Sequence, residues 1–169
     1  MRDYENSMSI YHALKKAGID LVTSVPCVNL EELLDLIESD DEITHIPVTR
    51  EEEGIGICAG AYLGGANPAI VMQNSGLGNS INALASLDLL YRIPLLMILS
   101  HRGDLGERIS AQVPMGQLTP GLLDSLGIPR YSPMPVDVDK IITGAWTLAK
   151  TSGLPVAILL GELFWSDAQ

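Results

Sequence analysis

Short continuous apolar runs alternate along this chain with stretches whose apolar residues recur at helical spacing, and that alternation limits the possible folds more than any other feature. Residues 21–25, 43–48, 69–73, 95–100 and 156–160 read as strands, with a shorter one near Tyr131. Ile10, Ala13, Leu14 and Ala17 share one helical face that stops at Gly18. Leu30, Leu33, Leu34 and Ile37 form a second stripe, entered through a capping box of Asn29 and Glu32. Residues 51–62 read as a helix of small apolar residues. Asn79 is placed to cap a helix reaching about Leu90, and further helices are expected near 118–126 and 138–150. Strands that are apolar throughout must be covered on both faces, which predicts a three-layer α/β/α sandwich with a mostly parallel sheet. No repeat or linker divides residues 1–169, so one domain is expected. In such sheets ligands sit beyond the carboxyl ends of the strands.

Charge narrows the function. With 10 Lys+Arg against 21 Asp+Glu and a net charge of −11, the chain lacks the clustered cations that neutralise nucleic-acid phosphates or an anionic membrane. It has no apolar stretch of membrane-spanning length, and Met1 to Glu5 open no signal peptide, so a cytoplasmic protein is expected. Cys27 and Cys58 match no C-x-x-C spacing and are expected as reduced thiols. Aromatic residues make up only 5%, which leaves the core to Leu, Ile, Val, Ala and Met.

Four segments stand at expected strand ends and should meet at one crevice: 25–27, 49–54, 73–79 and 101–104. Gly76-Leu77-Gly78 resembles the start of a dinucleotide fingerprint but has Ile81 where a third glycine is required, so it reads as a tight turn or a ligand-contacting one. Glu51, Glu52 and Glu53 open a helix whose dipole favours carboxylates. One of them can turn inward beside Ile55, Ile57 and Cys58, where apolar surroundings raise a carboxyl pKa. His12 is expected on the surface. His101 lies in a long polar loop over 101–117 and is a catalytic candidate. Cys27 is either an oxidation-sensitive thiol or a buried spacer.

Glu52, Gly54, Ala59, Gly60, Ala61 and Tyr62 together resemble the helix signature of the pyrimidine-binding domain of thiamine-diphosphate-dependent decarboxylases. The loop from Gln73 to Asn79 is similar to that of the phosphonopyruvate and sulfopyruvate decarboxylase branch, as is Arg102-Gly103 with Gln112 ten residues beyond Arg102. The resemblance implies that Glu52 is catalytic, hydrogen-bonding the aminopyrimidine ring of thiamine diphosphate. It also implies that Pro26, Asn74, Ser75, Gly76 and Asn79 contact the cofactor, and that Arg102, Gln112 and Asn74 contact a small 2-oxo acid substrate, with Arg50 and Arg108 as further cations. The family's G-D-G…N motif is absent from this sequence. The resemblance therefore implies a beta subunit that carries Mg2+ and the diphosphate site, a hetero-oligomer, no metal ligands in this chain, and a place in coenzyme M biosynthesis in methanogens. Residues 109–113 lack the acidic pair and the histidine of the phosphonopyruvate branch, which leaves the acid/base residue of that loop open. Another 2-oxo acid half-enzyme and a non-catalytic partner-binding module are the competing readings.

Overall fold

The computed structural model describes residues 2–165, with side chains from residue 4 onward; the chain start read above for a signal peptide thus lies partly outside the described residues. Six parallel strands form one sheet: β1 (Leu21–Ser24), β2 (Thr44–Pro47), β3 (Pro68–Gln73), β4 (Leu96–His101), β5 (Arg130–Tyr131) and β6 (Val156–Gly161). Their order is β2-β1-β3-β4-β6-β5, so the direction of winding reverses between β1 and β3. Helices α1 (Arg2–Ala17), α2 (Glu31–Glu38), α6 (Val138–Ser152) and α7 (Glu162–Trp165) cover one face. Helices α3 (Glu51–Leu63), α4 (Ser75–Ala83) and α5 (Val113–Leu126) cover the other.

The continuous apolar runs have a direct cause. In β4, Leu96 and Ile98 enter the core beneath α1 and α6, while Met97 and Leu99 enter the core beneath α3 and α4. The same division holds for Ala69 and Val71 against Ile70 and Met72 in β3. Both sets are fully buried, so period-2 alternation cannot appear in the sequence. The small residues of α3 allow a close approach to the sheet: a Cβ on Gly54 would lie 2.9 Å from Thr23 Oγ1.

Helix starts are where the expectations fail. Asn29 caps nothing, because residues Val28–Leu30 form a 3-10 turn and α2 starts at Glu31 with no side-chain cap. Helix α4 begins at Ser75 rather than after Asn79, and it widens into a π-helical turn over Leu84–Leu89. The supposed loop over 101–117 contains a 3-10 turn at Ser110–Gln112 and the first residues of α5.

The π turn holds Asp88, which is completely buried with neither carboxylate oxygen hydrogen-bonded. Burial pushes its pKa up to about 7. The unfolded chain titrates this group near 4, so ionisation disfavours the folded state: stability is fully present below about pH 4 and is lost as pH rises through about 7. We expect urea unfolding of Asp88→Asn to show a flatter stability profile than wild type between pH 4 and 7, by on the order of a few kcal/mol. Parallel profiles would contradict the buried, unpaired acid.

Candidate active site

The carboxyl ends of β1, β3 and β4 bring three of the four segments into hydrogen-bonding contact. Gln73, the last residue of β3, joins them. Its Nε2 donates to Ser75 Oγ at 2.8 Å and to Gln112 Oε1 at 3.1 Å, and its Oε1 accepts from Cys27 Sγ at 3.5 Å. This cluster sits at the β1/β3 reversal, where the crevice of a doubly wound sheet opens. Gln73 belongs to the motif noted above, but its hub position shows only once the strands are in register.

Helix α3 brings the fourth segment to the same end of the sheet and aims its three carboxylates differently. Glu51 lies against the turn after β3, where Asn79 Nδ2 donates to its Oε2 at 3.2 Å and a Cβ on Gly76 would be 2.4 Å from Glu51 Cγ. Glu53 accepts from Thr49 Oγ1 at 2.9 Å. Glu52 is half-buried: its Oε1 accepts from Arg50 Nε at 2.7 Å, while its Oε2 is buried without a hydrogen-bond partner. The expectation of a raised pKa does not hold in this chain by itself. A backbone N–H, with the Arg50 guanidinium second, holds the Glu52 carboxyl below the usual value and outweighs desolvation. Gly76 and Asn79 thus meet the neighbouring carboxylate, Glu51, rather than Glu52.

Asn74 and Arg102 bind within the protein. Asn74 is 1% exposed; its Nδ2 donates to Arg102 O at 3.0 Å and to Thr119 Oγ1 at 2.9 Å, and its Oδ1 accepts from Arg102 N at 3.0 Å. These bonds fasten the ends of β3 and β4 to α5, leaving the amide no donor directed at a ligand. Replacing Asn74 with Ala removes three hydrogen bonds at a buried site and takes from the Arg102 carbonyl the amide donor it has there, so a loss of about 2–3 kcal/mol is expected in chemical denaturation. A loss below about 0.5 kcal/mol would show that water replaces the amide there.

Arg102 forks onto Glu107, with Nε to Oε2 at 2.7 Å and Nη2 to Oε1 at 2.9 Å. Glu107 also accepts from the backbone N–H groups of Gly103, Arg108 and Ile109. The Arg102 guanidinium holds the Glu107 carboxyl well below the usual carboxylate range. No local sequence signature marks Glu107, yet it organises the loop. At the loop base Gly103 has φ +83°, and a Cβ there would lie 2.0 Å from Gln112 O. His101, 6% exposed, has its Nε2 3.0 Å from Gly116 O; it faces this packing rather than the Gln73 cluster.

Pro26 and Cys27 border a cavity of about 460 Å3 on the α2 side, with Ser24, Val28, Leu34 and His45. Ser24 Oγ and His45 Nε2 are 2.8 Å apart, and burial pushes the His45 pKa down. Glu31, Asp35 and Glu38 on its rim disfavour an anionic occupant. Cys58 is a buried thiol raised to about 12 by desolvation. Among the described residues no group of three His, Cys, Asp or Glu side chains can hold a metal ion, and no helix is long and apolar enough to cross a membrane.

The family described as thiamine pyrophosphate enzyme, N-terminal TPP binding domain, matches residues 6–123. Sulfopyruvate decarboxylase subunit alpha of Methanococcus maripaludis is 56% identical over 160 residues, which cover 94% of this chain and 96% of that relative. The protein of the same name from Methanocaldococcus jannaschii is 54% identical over 94% of this chain and 95% of its own length. The chain belongs to the sulfopyruvate decarboxylase alpha-subunit family. Phosphonopyruvate decarboxylases of Streptomyces stand further off, at 39% and 40% identity over 75% and 60% of this alpha-family chain. Among solved structures, a 2-oxoglutarate:ferredoxin oxidoreductase from Magnetococcus marinus superposes with a TM-score of 0.73 at 14% identity, covering 94% of this chain and 29% of that one. That likeness concerns the fold alone, and it agrees with the expected sandwich.

Proposed function

We propose that this chain is the alpha subunit of a sulfopyruvate decarboxylase, forming with a beta subunit the site that converts 3-sulfopyruvate to sulfoacetaldehyde and CO2. The observation that carries this reading is Glu52: its buried Oε2 has no partner within the chain, at the helix position where the thiamine-diphosphate decarboxylases place their activating carboxylate. An unmade hydrogen bond at a half-buried carboxyl fits a ring nitrogen supplied from outside the chain with which it shares a proton. When bound, thiamine diphosphate supplies the electron sink that a departing carboxylate needs.

The chain's own residues then divide the work. Glu52 holds the proton that faces the aminopyrimidine ring. Ser75, Gly76, Asn79 and Pro26 border the cofactor, with Gly76 making room for the side chain of Glu51. Gln112, fixed by Gln73, faces the substrate. Arg102 and Asn74 act through the loop they fasten, with Glu107 as the anchor. Mg2+ and the diphosphate fall to the beta subunit, since this sequence has no G-D-G…N motif.

On the side of the sheet that carries α3, α4 and α5, Leu63, Leu90, Tyr91 and Leu118 are between 57% and 74% exposed, apolar side chains available to a partner chain. The experiment is a CO2-release assay on the chain co-purified with its beta subunit, using sulfopyruvate and phosphonopyruvate in parallel. Preference for sulfopyruvate is expected; preference for phosphonopyruvate would overturn the substrate assignment.

A further inference from the structure

Arg50 is the residue that the sequence and the proposed chemistry leave without a settled role. It precedes α3 in extended conformation, at φ −140° and ψ 139°, with its side chain 68% exposed. Both Nε and Nη2 reach Glu52 Oε1, at 2.7 and 2.5 Å. The carboxylate that must present a proton in the assembled site is therefore paired with a cation that favours its ionised form. The other charged groups at this helix start are engaged elsewhere: Glu51 with Asn79, and Glu53 with Thr49. The sheet presents Thr23 and Ile70 to this end of α3, neither charged. Arg50 is thus the charged group that acts on Glu52.

The same guanidinium is also free to serve a ligand. The substrate proposed above is a dianion, and the chain is strongly acidic. Arg102, the cation expected to meet that substrate, has two of its donors forked onto Glu107 and its side chain only 13% exposed. Arg50 is different, because its partner lies two residues away and the side chain is open to solvent, so an exposed pair of this kind exchanges at small cost. Glu52 presents only Oε1 to the guanidinium, whereas an incoming carboxylate or sulfonate offers it two oxygens in a fork.

We propose that Arg50 is an exchangeable partner of Glu52, capping its carboxylate in the chain by itself and moving to an anionic group of the substrate in the assembled site. The inference rests on the decarboxylase reading. Substrate binding and protonation of Glu52 from solvent are then linked, because the anion draws away a cation that, beside the backbone N–H, favours the ionised form of Glu52. Arg50 contributes to specificity for dianionic 2-oxo acids and biases the protonation of Glu52, whereas Glu52 is the group that touches the cofactor.

The test follows the Glu52 carboxyl by 13C NMR. In the chain alone, Arg50→Gln moves the Glu52 titration midpoint upward and Arg50→Lys retains part of the effect; no movement refutes the pair. In the complex with its beta subunit and cofactor, the unreactive dianion 3-sulfopropanoate raises that midpoint in wild type and leaves it unchanged in Arg50→Gln. The same response in both proteins, or in neither, overturns the exchange. In turnover, Arg50→Gln raises KM for sulfopyruvate about tenfold or more, the effect of losing a charged hydrogen bond, and Arg50→Lys recovers part of it. A KM within about twofold of wild type also overturns the exchange. The NMR arms need no turnover, so a complex that fails to decarboxylate sulfopyruvate counts against the functional reading, while the titrations still decide the role of Arg50.

Discussion

Glu52→Gln, in the chain assembled with its beta subunit, lowers kcat for decarboxylation by about a hundredfold or more while assembly persists. Removing one positioned acid/base group typically costs roughly 10²–10⁴-fold. Glutamine keeps the shape of the side chain and can still occupy the space where Oε2 is buried unpaired, but its amide cannot exchange a proton with the ring nitrogen. The decisive readout is hydrogen exchange at the reactive carbon of the bound cofactor, which slows with kcat if Glu52 activates the ring. Exchange at the wild-type rate would remove Glu52 from its proposed role even if turnover fell. Glu51→Gln provides the contrast: its carboxylate meets Asn79 and Gly76 within the fold, so its loss acts on the turn after β3 rather than on the cofactor proton.

The second large effect lies at Gly116. A Cβ there would come within 2.3 Å of the Gly103 carbonyl, and both residues belong to backbone that has nowhere to retreat: Gly103 is held by Glu107, and the Gly116 carbonyl faces His101 Nε2. Overpacking a side chain into a core costs about 1–3 kcal/mol, and a clash with main chain exceeds that range. Gly116→Ala is therefore expected to lower Tm by about 6 °C or more, taking roughly 2–4 °C per kcal/mol for a chain of this length. In the assembled enzyme the displaced α5 start also draws Gln112 away from Gln73, so KM for the substrate rises together with the loss of stability. A thermal scan with Tm unchanged within about 1 °C would contradict the close approach of these two segments.

Parts of the molecule are legible in the chain and parts are not, for physical reasons. The central strands β3, β4 and β6 are legible because each carries a continuous apolar run, which a sheet covered on both faces requires; Met97 and Ile98 are adjacent in sequence and buried in opposite cores. The segments that form the site are legible for the same reason, since each follows a strand in a parallel sheet. The side-chain partners are not legible. Asn74 and Arg102 are residue types that bind ligands well, and the same donors serve equally to fasten a loop; only register and burial show that Asn74 is spent on Arg102 and Thr119. Glu107 carries no motif because three of its bonds go to backbone N–H groups, which nearly every residue has. Asn29 and Asn79 have the composition of helix caps, but the 3-10 turn before α2 and the early start of α4 leave them elsewhere. Glu52 is located by its spacing from Tyr62, whereas its low pKa depends in part on Arg50, a neighbour whose orientation the spacing does not encode.

On this reading the chain is half of an active site, with the proton-holding carboxylate on one subunit and the diphosphate and Mg2+ on another. Binding of thiamine diphosphate with Mg2+, measured by calorimetry on the chain alone, on the beta subunit alone and on their mixture, tests this most directly, with CO2 release from sulfopyruvate followed in the same samples. We expect tight binding and turnover in the mixture and no turnover in either chain alone. Full decarboxylation by this chain without a partner would contradict the division of the site between two subunits.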